Sequence, residues 1–161
     1  MELRSFDGSG DLSLEADIRK IGDVLEFRYL LAGNVADVLV PPLSPPMRTD
    51  GLWKSTCFEA FIGTGDASYV ELNFAPSGRW AAYSFEGYRV GMRELDIAPP
   101  TVRFANNCLI AEVELGAPPG SPLNLAAVIE RNDGDRSYWA LAHAIGRPDF
   151  HASDCFVAKV P

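Results

Sequence analysis

Basic residues are scarce in this chain: 14 Lys and Arg stand against 22 Asp and Glu over 161 residues, a formal net charge of −8, with no basic cluster longer than a pair. Phosphate binding draws on concentrated Lys and Arg, so nucleic acid and anionic membrane are excluded as expected partners. Cysteine is equally sparse. The three present, Cys57, Cys108 and Cys155, form no CxxC pair and are odd in number, which leaves neither a disulfide framework nor a zinc knuckle to read from spacing. They are expected to be free thiols. Both histidines, His143 and His151, fall in "SYWALAHAIGRPDFHASDCF" beside Asp149, but the gap between them, through Gly146 and Pro148, matches no standard metal-ligand spacing, and no metal is expected. The stretch "MELRSFDGSG" lacks the apolar core of a signal peptide, and no apolar run reaches membrane-spanning length. The expectation is a soluble, cytoplasmic protein. No window has the spacing of an amphipathic helix, and there is no internal repeat.

What is present is a recurring two-residue hydrophobic period, in runs at 11–18, 23–31, 56–63, 68–75, 79–86, 101–105, 108–115, 122–131, 137–143 and 155–160. Twelve prolines and 14 glycines punctuate them. This pattern predicts an all-β fold, a two-sheet β-sandwich forming one domain over residues 1–161. In "FAPSGRW", Pro76 and Gly78 suit the second and fourth positions of a type I turn, and Asp133-Gly134 marks a second hairpin. "VPPLSPPMRTDGLW" is irregular, its prolines holding it extended, and "GTGDAS" is a loop between strands.

Strand parity then isolates the chemistry. In "YVELNFAPSGRWAAYSF", Val70, Leu72 and Phe74 share one face, leaving Tyr69, Glu71 and Asn73 on the other. On the return strand Ala81, Tyr83 and Phe85 match the core set, with Trp80, Ala82 and Ser84 opposite. In "TCFEAFI", Glu59 is a charge among apolar neighbours on either face. Burying an unpaired carboxylate is costly, so Glu59 needs a donor: Arg48, Arg89 or a ligand hydroxyl. Trp53 closes the proline-rich segment and either stands at the rim of the same face or plugs the end of the fold. A flat ring beside carboxylate and amide acceptors suits a sugar, whose C–H face stacks while its hydroxyls take paired hydrogen bonds. Glu71 and Asn73 either line such a site or face water. Glu59, Glu71 and Glu130 are also candidates for the carboxylate pair of a glycosidase, whereas no GxSxG or other nucleophile motif is present.

"GLWKSTCFEAFIG", "YVELNFAPSGRWAAYSF", "AVIE" and "SYWALAH…PDFH" together resemble the bacterial DOMON-like domains, relatives of the family-9 carbohydrate-binding modules, from about Arg48 to Phe156. That resemblance implies a jelly-roll-like sandwich whose relatives bind sugars or haem on one side of the fold. It places Trp53 where the sugar-binding modules have a stacking tryptophan and Glu59 where a carboxylate holds sugar hydroxyls. Glu71 and Asn73 fall near their polar strand positions, and Trp139, then Trp80, is the candidate second ring. The axial pair of the haem-binding relatives would have to come from Met47 or Met92 and His143 or His151. The combined expectation is a non-catalytic module for a sugar or sugar-derived metabolite, with Trp53, Glu59, Glu71, Asn73, Trp139 and Arg89 as its ligand-binding residues and no cofactor. The alternatives are a structural or protein-interaction β-sandwich, then haem binding, then a glycosidase-type enzyme.

Overall fold

The computed structural model describes residues 1–8 and 10–161. Its strands are β1 (Glu2–Ser5), β2 (Leu12–Ile21), β3 (Val24–Gly33), β4 (Cys57–Gly63), β5 (Tyr69–Phe74), β6 (Trp80–Phe85), β7 (Arg93–Glu94), β8 (Thr101–Ala105), β9 (Cys108–Glu114), β10 (Pro122–Glu130), β11 (Arg136–Ala140) and β12 (Ala158–Lys159). Helix among the described residues is confined to single 3₁₀ turns at Val35–Asp37, Leu52–Lys54 and Ser153–Cys155. The ten runs read from the sequence each hold one strand; β1 and β7, of four and two residues, are too short to show a period.

The sequence predicts two packed sheets. The strands are linked into one curled antiparallel sheet in the order β7-β6-β5-β4-β10-β11-β1-β2-β3-β9-β8, with β12 against β10. β1 makes the difference, because it pairs with β2 on one side and β11 on the other and so joins the two halves. Curling brings apolar faces together: the rings of Tyr29 and Phe58 lie 5.1 Å apart, Phe27 and Phe74 5.7 Å, Phe58 and Phe104 6.4 Å. This main core also takes in Leu14, Ile62, Leu72, Leu109, Leu125 and Trp139.

The halves differ outside the core. β2 alternates buried and exposed along its length, as one covered face requires. β4 and β5 are buried at nearly every residue, so their outer face is covered too. A second apolar cluster does the covering: Phe61, Tyr69, Ala81, Tyr83, Phe85, Val128 and Phe150, with Leu52, Tyr138 and Phe156 against it. Leu52 comes from the Leu52–Lys54 turn, and Phe150 and Phe156 from the stretch after β11.

Two segments place the site. The proline-rich stretch runs beside β6, where the Ser44 N–H bonds to the Ser77 carbonyl at 2.9 Å and the Thr49 N–H to that of Trp80 at 2.8 Å. Arg48 locks it, donating to the carbonyls of Ala82 and Leu95 at 3.0 and 2.8 Å with its guanidinium 4.3 Å from the Trp80 ring centre. Arg48 is therefore committed to the backbone and is not the donor for Glu59. The β5–β6 hairpin turns through Pro76 as expected, the Gly78 N–H bonding to the Ala75 carbonyl at 3.0 Å with Gly78 at φ 90°, a value glycine reaches without a Cβ clash.

That hairpin also corrects a face assignment. Phe74 pairs with Trp80 and Leu72 with Ala82, and directly paired residues share a face. Trp80 and Ala82 are therefore in the main core, while Ala81, Tyr83 and Phe85 lie on the face of Glu71 and Asn73. Parity inverted because five residues separate Phe74 from Trp80, and an odd loop keeps even-numbered residues on the side of even-numbered partners.

Candidate functional site

Pairing of β4 with β5 sets Glu59 opposite Asn73 and Phe61 opposite Glu71, and pairing with β10 sets Glu59 opposite Ala126. These residues point away from the main core. Ala81 and Ala126 are small, which leaves room above the strands. The space is a cavity of about 400 Å³ lined by Trp53, Glu59, Glu71, Tyr83, Phe85, Arg89, Met92, Val128, Tyr138, Pro148, Phe150 and His151. A volume of this order suits a small ligand.

Glu59 is 3% exposed, and its Oε1 is buried with no hydrogen-bond partner among the described residues. Burial, then the neighbouring Glu71 charge, push its carboxyl well above the usual carboxylate range, with Arg89 opposing. Glu71 is raised as well, chiefly by burial, against the bond it accepts from Asn73 and the charge of Arg89. The Asn73 amide donates to Glu71 Oε1 at 2.7 Å, while its oxygen faces the Cys57 thiol at 3.7 Å. Asn73 is thus a positioning residue beneath the cavity.

One wall is a chain of bonds. The Arg89 N–H donates to the Tyr69 hydroxyl oxygen at 3.2 Å, and that hydroxyl lies 2.8 Å from His151 Nδ1. The other ring nitrogen of His151, Nε2, lies 3.7 Å from Glu71 Oε2, too far for a hydrogen bond. Burial, then the Arg89 charge, hold His151 down at about 4, so it is neutral at pH 7. The Arg89 guanidinium is itself bound to Asp149 at 2.9 Å, and Asp149 also accepts from the Tyr88 hydroxyl and the His151 N–H. Burial opposes the charge on Asp149, but these donors outweigh it and keep its carboxyl below the usual range. Arg89 holds this place at φ 54°, a left-handed conformation that costs a non-glycine residue about 1–2 kcal/mol.

The aromatic groups divide. Trp53, half-exposed, stands at the rim. Tyr83 donates to Asp50 at 2.6 Å, and Phe85 stacks on Tyr69 at 4.7 Å. Trp139 does not join them. It pairs with Ala127, which in turn pairs with Phe58, so it faces the main core, its indole N–H on the Ser137 hydroxyl at 2.9 Å. Trp80 is in the same core under Arg48. Parity along one strand cannot say which face a long loop will cover, and that is why Trp139 looked available. Tyr83, Phe85 and Tyr138 are the residues sequence reasoning missed; correct hairpin parity would have found the first two.

Other candidates lie elsewhere. His143 Nε2 contacts the Arg4 carbonyl at 2.7 Å with its ring against Phe6, and Met47 lines none of the hollows described. Glu130 pairs with Arg136 at 3.2 Å, away from Glu59. All three cysteines are free thiols, and no group of His, Cys, Asp or Glu among the described residues is arranged to hold a metal ion. A hollow of about 490 Å³ adjoins the cavity, sharing Trp53, Tyr83 and Met92. A larger one, about 860 Å³, lies beyond His151 among the side chains of Asp66, Ile145, Arg147 and Asp154, and its walls carry no buried, unpartnered carboxyl.

No protein-family model and no curated protein sequence matches the chain. Among solved structures it is similar to a "putative carbohydrate-binding protein" from Bacteroides uniformis ATCC 8492, with a TM-score of 0.61 and 12% sequence identity over 96% of this chain and 84% of that one. At that identity the likeness is one of fold.

Proposed function

We propose that this protein is a non-catalytic module that binds a small sugar-like molecule in the cavity above Glu59 and Glu71. The observation that carries the reading is the Glu59 carboxyl, buried at the cavity with an oxygen that has no hydrogen-bond partner among the described residues. An unsatisfied buried polar atom costs about 1–3 kcal/mol, and a ligand donor would recover that cost. Trp53 at the rim and Tyr83, Phe85 and Tyr138 on the walls supply the ring faces on which a pyranose stacks. The DOMON-like resemblance supports the reading, and so does the fold likeness to a protein named for carbohydrate binding. In this reading the curled sheet is a jelly-roll-like sandwich with its ligand outside one half.

An interaction surface is less well supported, since Glu71 and Asn73 are buried under the protein's own Phe150 and Tyr83 rather than presented to a partner. Met92 and His151 do line one cavity, but Tyr69 engages His151 Nδ1 and Glu71 Oε2 lies 3.7 Å from Nε2, a carboxylate neighbour that favours haem iron less than a free imidazole would. Two carboxyls in one cavity favour glycoside hydrolysis as the second reading.

Thermal melts over a panel of monosaccharides, followed by calorimetric titration of the best, test the proposal. We expect a saturable rise in Tm that Glu59→Gln and Trp53→Ala each reduce, and no turnover of aryl glycosides. Turnover abolished by both Glu59→Gln and Glu71→Gln would establish the enzyme reading instead, and no response to any sugar would remove the binding one.

A further inference from the structure

Several donors around the cavity are already engaged: Asn73 gives its amide to Glu71, the Arg89 guanidinium is bound to Asp149, the Tyr83 hydroxyl donates to Asp50, and the Tyr69 hydroxyl pairs with His151 Nδ1. Two carboxyls lining the cavity keep an oxygen without a hydrogen bond among the described residues, Glu59 Oε1 and Glu71 Oε2. Charge is lopsided in the same sense, because Glu59 has no cationic partner within ion-pair distance among the described residues, and the contact made by Glu71 is a histidine at 3.7 Å that burial keeps neutral. A sugar hydroxyl brings one donor and no charge. An ammonium brings three donors, no lone pair and the charge that two buried carboxyls need in order to ionise together. The rings of Tyr83 and Tyr138 line the cavity too, as does Trp53, whose ring centre has Lys54 Nζ 5.6 Å away, and aromatic rings attract a cation.

We propose that the ligand of this cavity carries an ammonium group, making it an amino sugar or another small primary amine, held by Glu59 and Glu71 and enclosed by aromatic rings. This rests on the reading of the cavity as a small-ligand site and specifies what it selects. Arg89 lines the same cavity, but its guanidinium is paired with Asp149 at 2.9 Å and makes no ion pair with either glutamate.

Calorimetric titration of the full chain at pH 7 with glucosamine, glucose, N-acetylglucosamine and cyclohexylamine separates the cases. The expected result is glucosamine at least tenfold tighter than glucose and N-acetylglucosamine, a preference that Glu59→Gln reduces to less than threefold while the protein remains folded by circular dichroism. Glu71→Gln serves the same purpose if the first variant does not fold. Equal affinity for glucosamine and glucose would overturn this inference and leave the sugar reading standing. Binding of cyclohexylamine without binding of any sugar would uphold the ammonium site and overturn the sugar reading. Silence from all four probes would overturn both.

Discussion

The two halves of the curled sheet treat their outer faces in opposite ways. On β2 every outward residue from Ser13 to Arg19 meets solvent, and the sequence there alternates apolar and polar as water demands. On β4 and β5 the outward residues Glu59, Phe61, Glu71 and Asn73 are as buried as the core residues between them. Water satisfies any polar group on the first face, so Glu15 or Asp17 says nothing about function. On the second, each polar atom must find a partner or go without, and Glu59 Oε1 has none among the described residues. A covered outer face is where an unsatisfied group becomes informative.

Truncating one outward residue on each side tests the difference most forcefully. Phe61→Ala should cost about 3–5 kcal/mol in urea unfolding, as deletion of a fully buried aromatic does, while Glu15→Ala on the outer face of β2 should stay within about 0.5 kcal/mol. Comparable small effects would mean that the loops over β4 and β5 are not packed.

Titration should also mark the covered face alone. His151 is held from its ordinary 6.5 down to about 4, so below pH 6.5 the unfolded chain binds a proton that the folded one refuses. Stability is complete above pH 6.5 and should fall by on the order of 2–3 kcal/mol as pH drops toward 4. His151→Gln should flatten that fall in acid melts; an unchanged profile would place His151 in water.

Glu59 acts in the reverse direction. Its raised carboxyl is protonated in the fold at pH values where the unfolded chain has already released its proton. Stability is therefore complete below about 4.5 and declines as pH rises above it, by at most about 1.4 kcal/mol per pH unit while one proton separates the states. Glu59→Gln should remove the decline above about pH 4.5. Persistence of the full slope in that variant would assign it to Glu71 or another group.

The smallest effect is expected at the rim. Trp53 is 51% exposed, so Trp53→Ala should change unfolding free energy by no more than about 0.5 kcal/mol while lowering ligand affinity. A large loss of stability would make Trp53 a plug rather than a stacking ring.

Much of the fold was legible because strand period and turn chemistry are local. "APSG" and "NDGD" turn where they should, and "LSLEADIRKI" declares its buried face. β1 was not legible, since four residues carry no measurable period, and with it went the joining of the two halves into one sheet. The site was legible in part. Glu59, Glu71 and Asn73 stood out as polar residues in apolar strands, and they do share one face, whereas Trp139 was misplaced and Tyr83 and Phe85 were put on the wrong side.

The sequence by itself determined that the chain would be strands and turns, that Val70, Leu72 and Phe74 would face the core, and that Glu59 would be a carboxylate in apolar company. Only the tertiary structure decided what that carboxylate would meet. Arg89 and Asp149 lie 60 positions apart and bond to each other, which engages one of the two arginines that were candidate donors for Glu59. The covering segments around Trp53 and from Pro148 to His151 are turns and coil whose placement follows from no local period, because nothing but long-range packing holds them over β4 and β5.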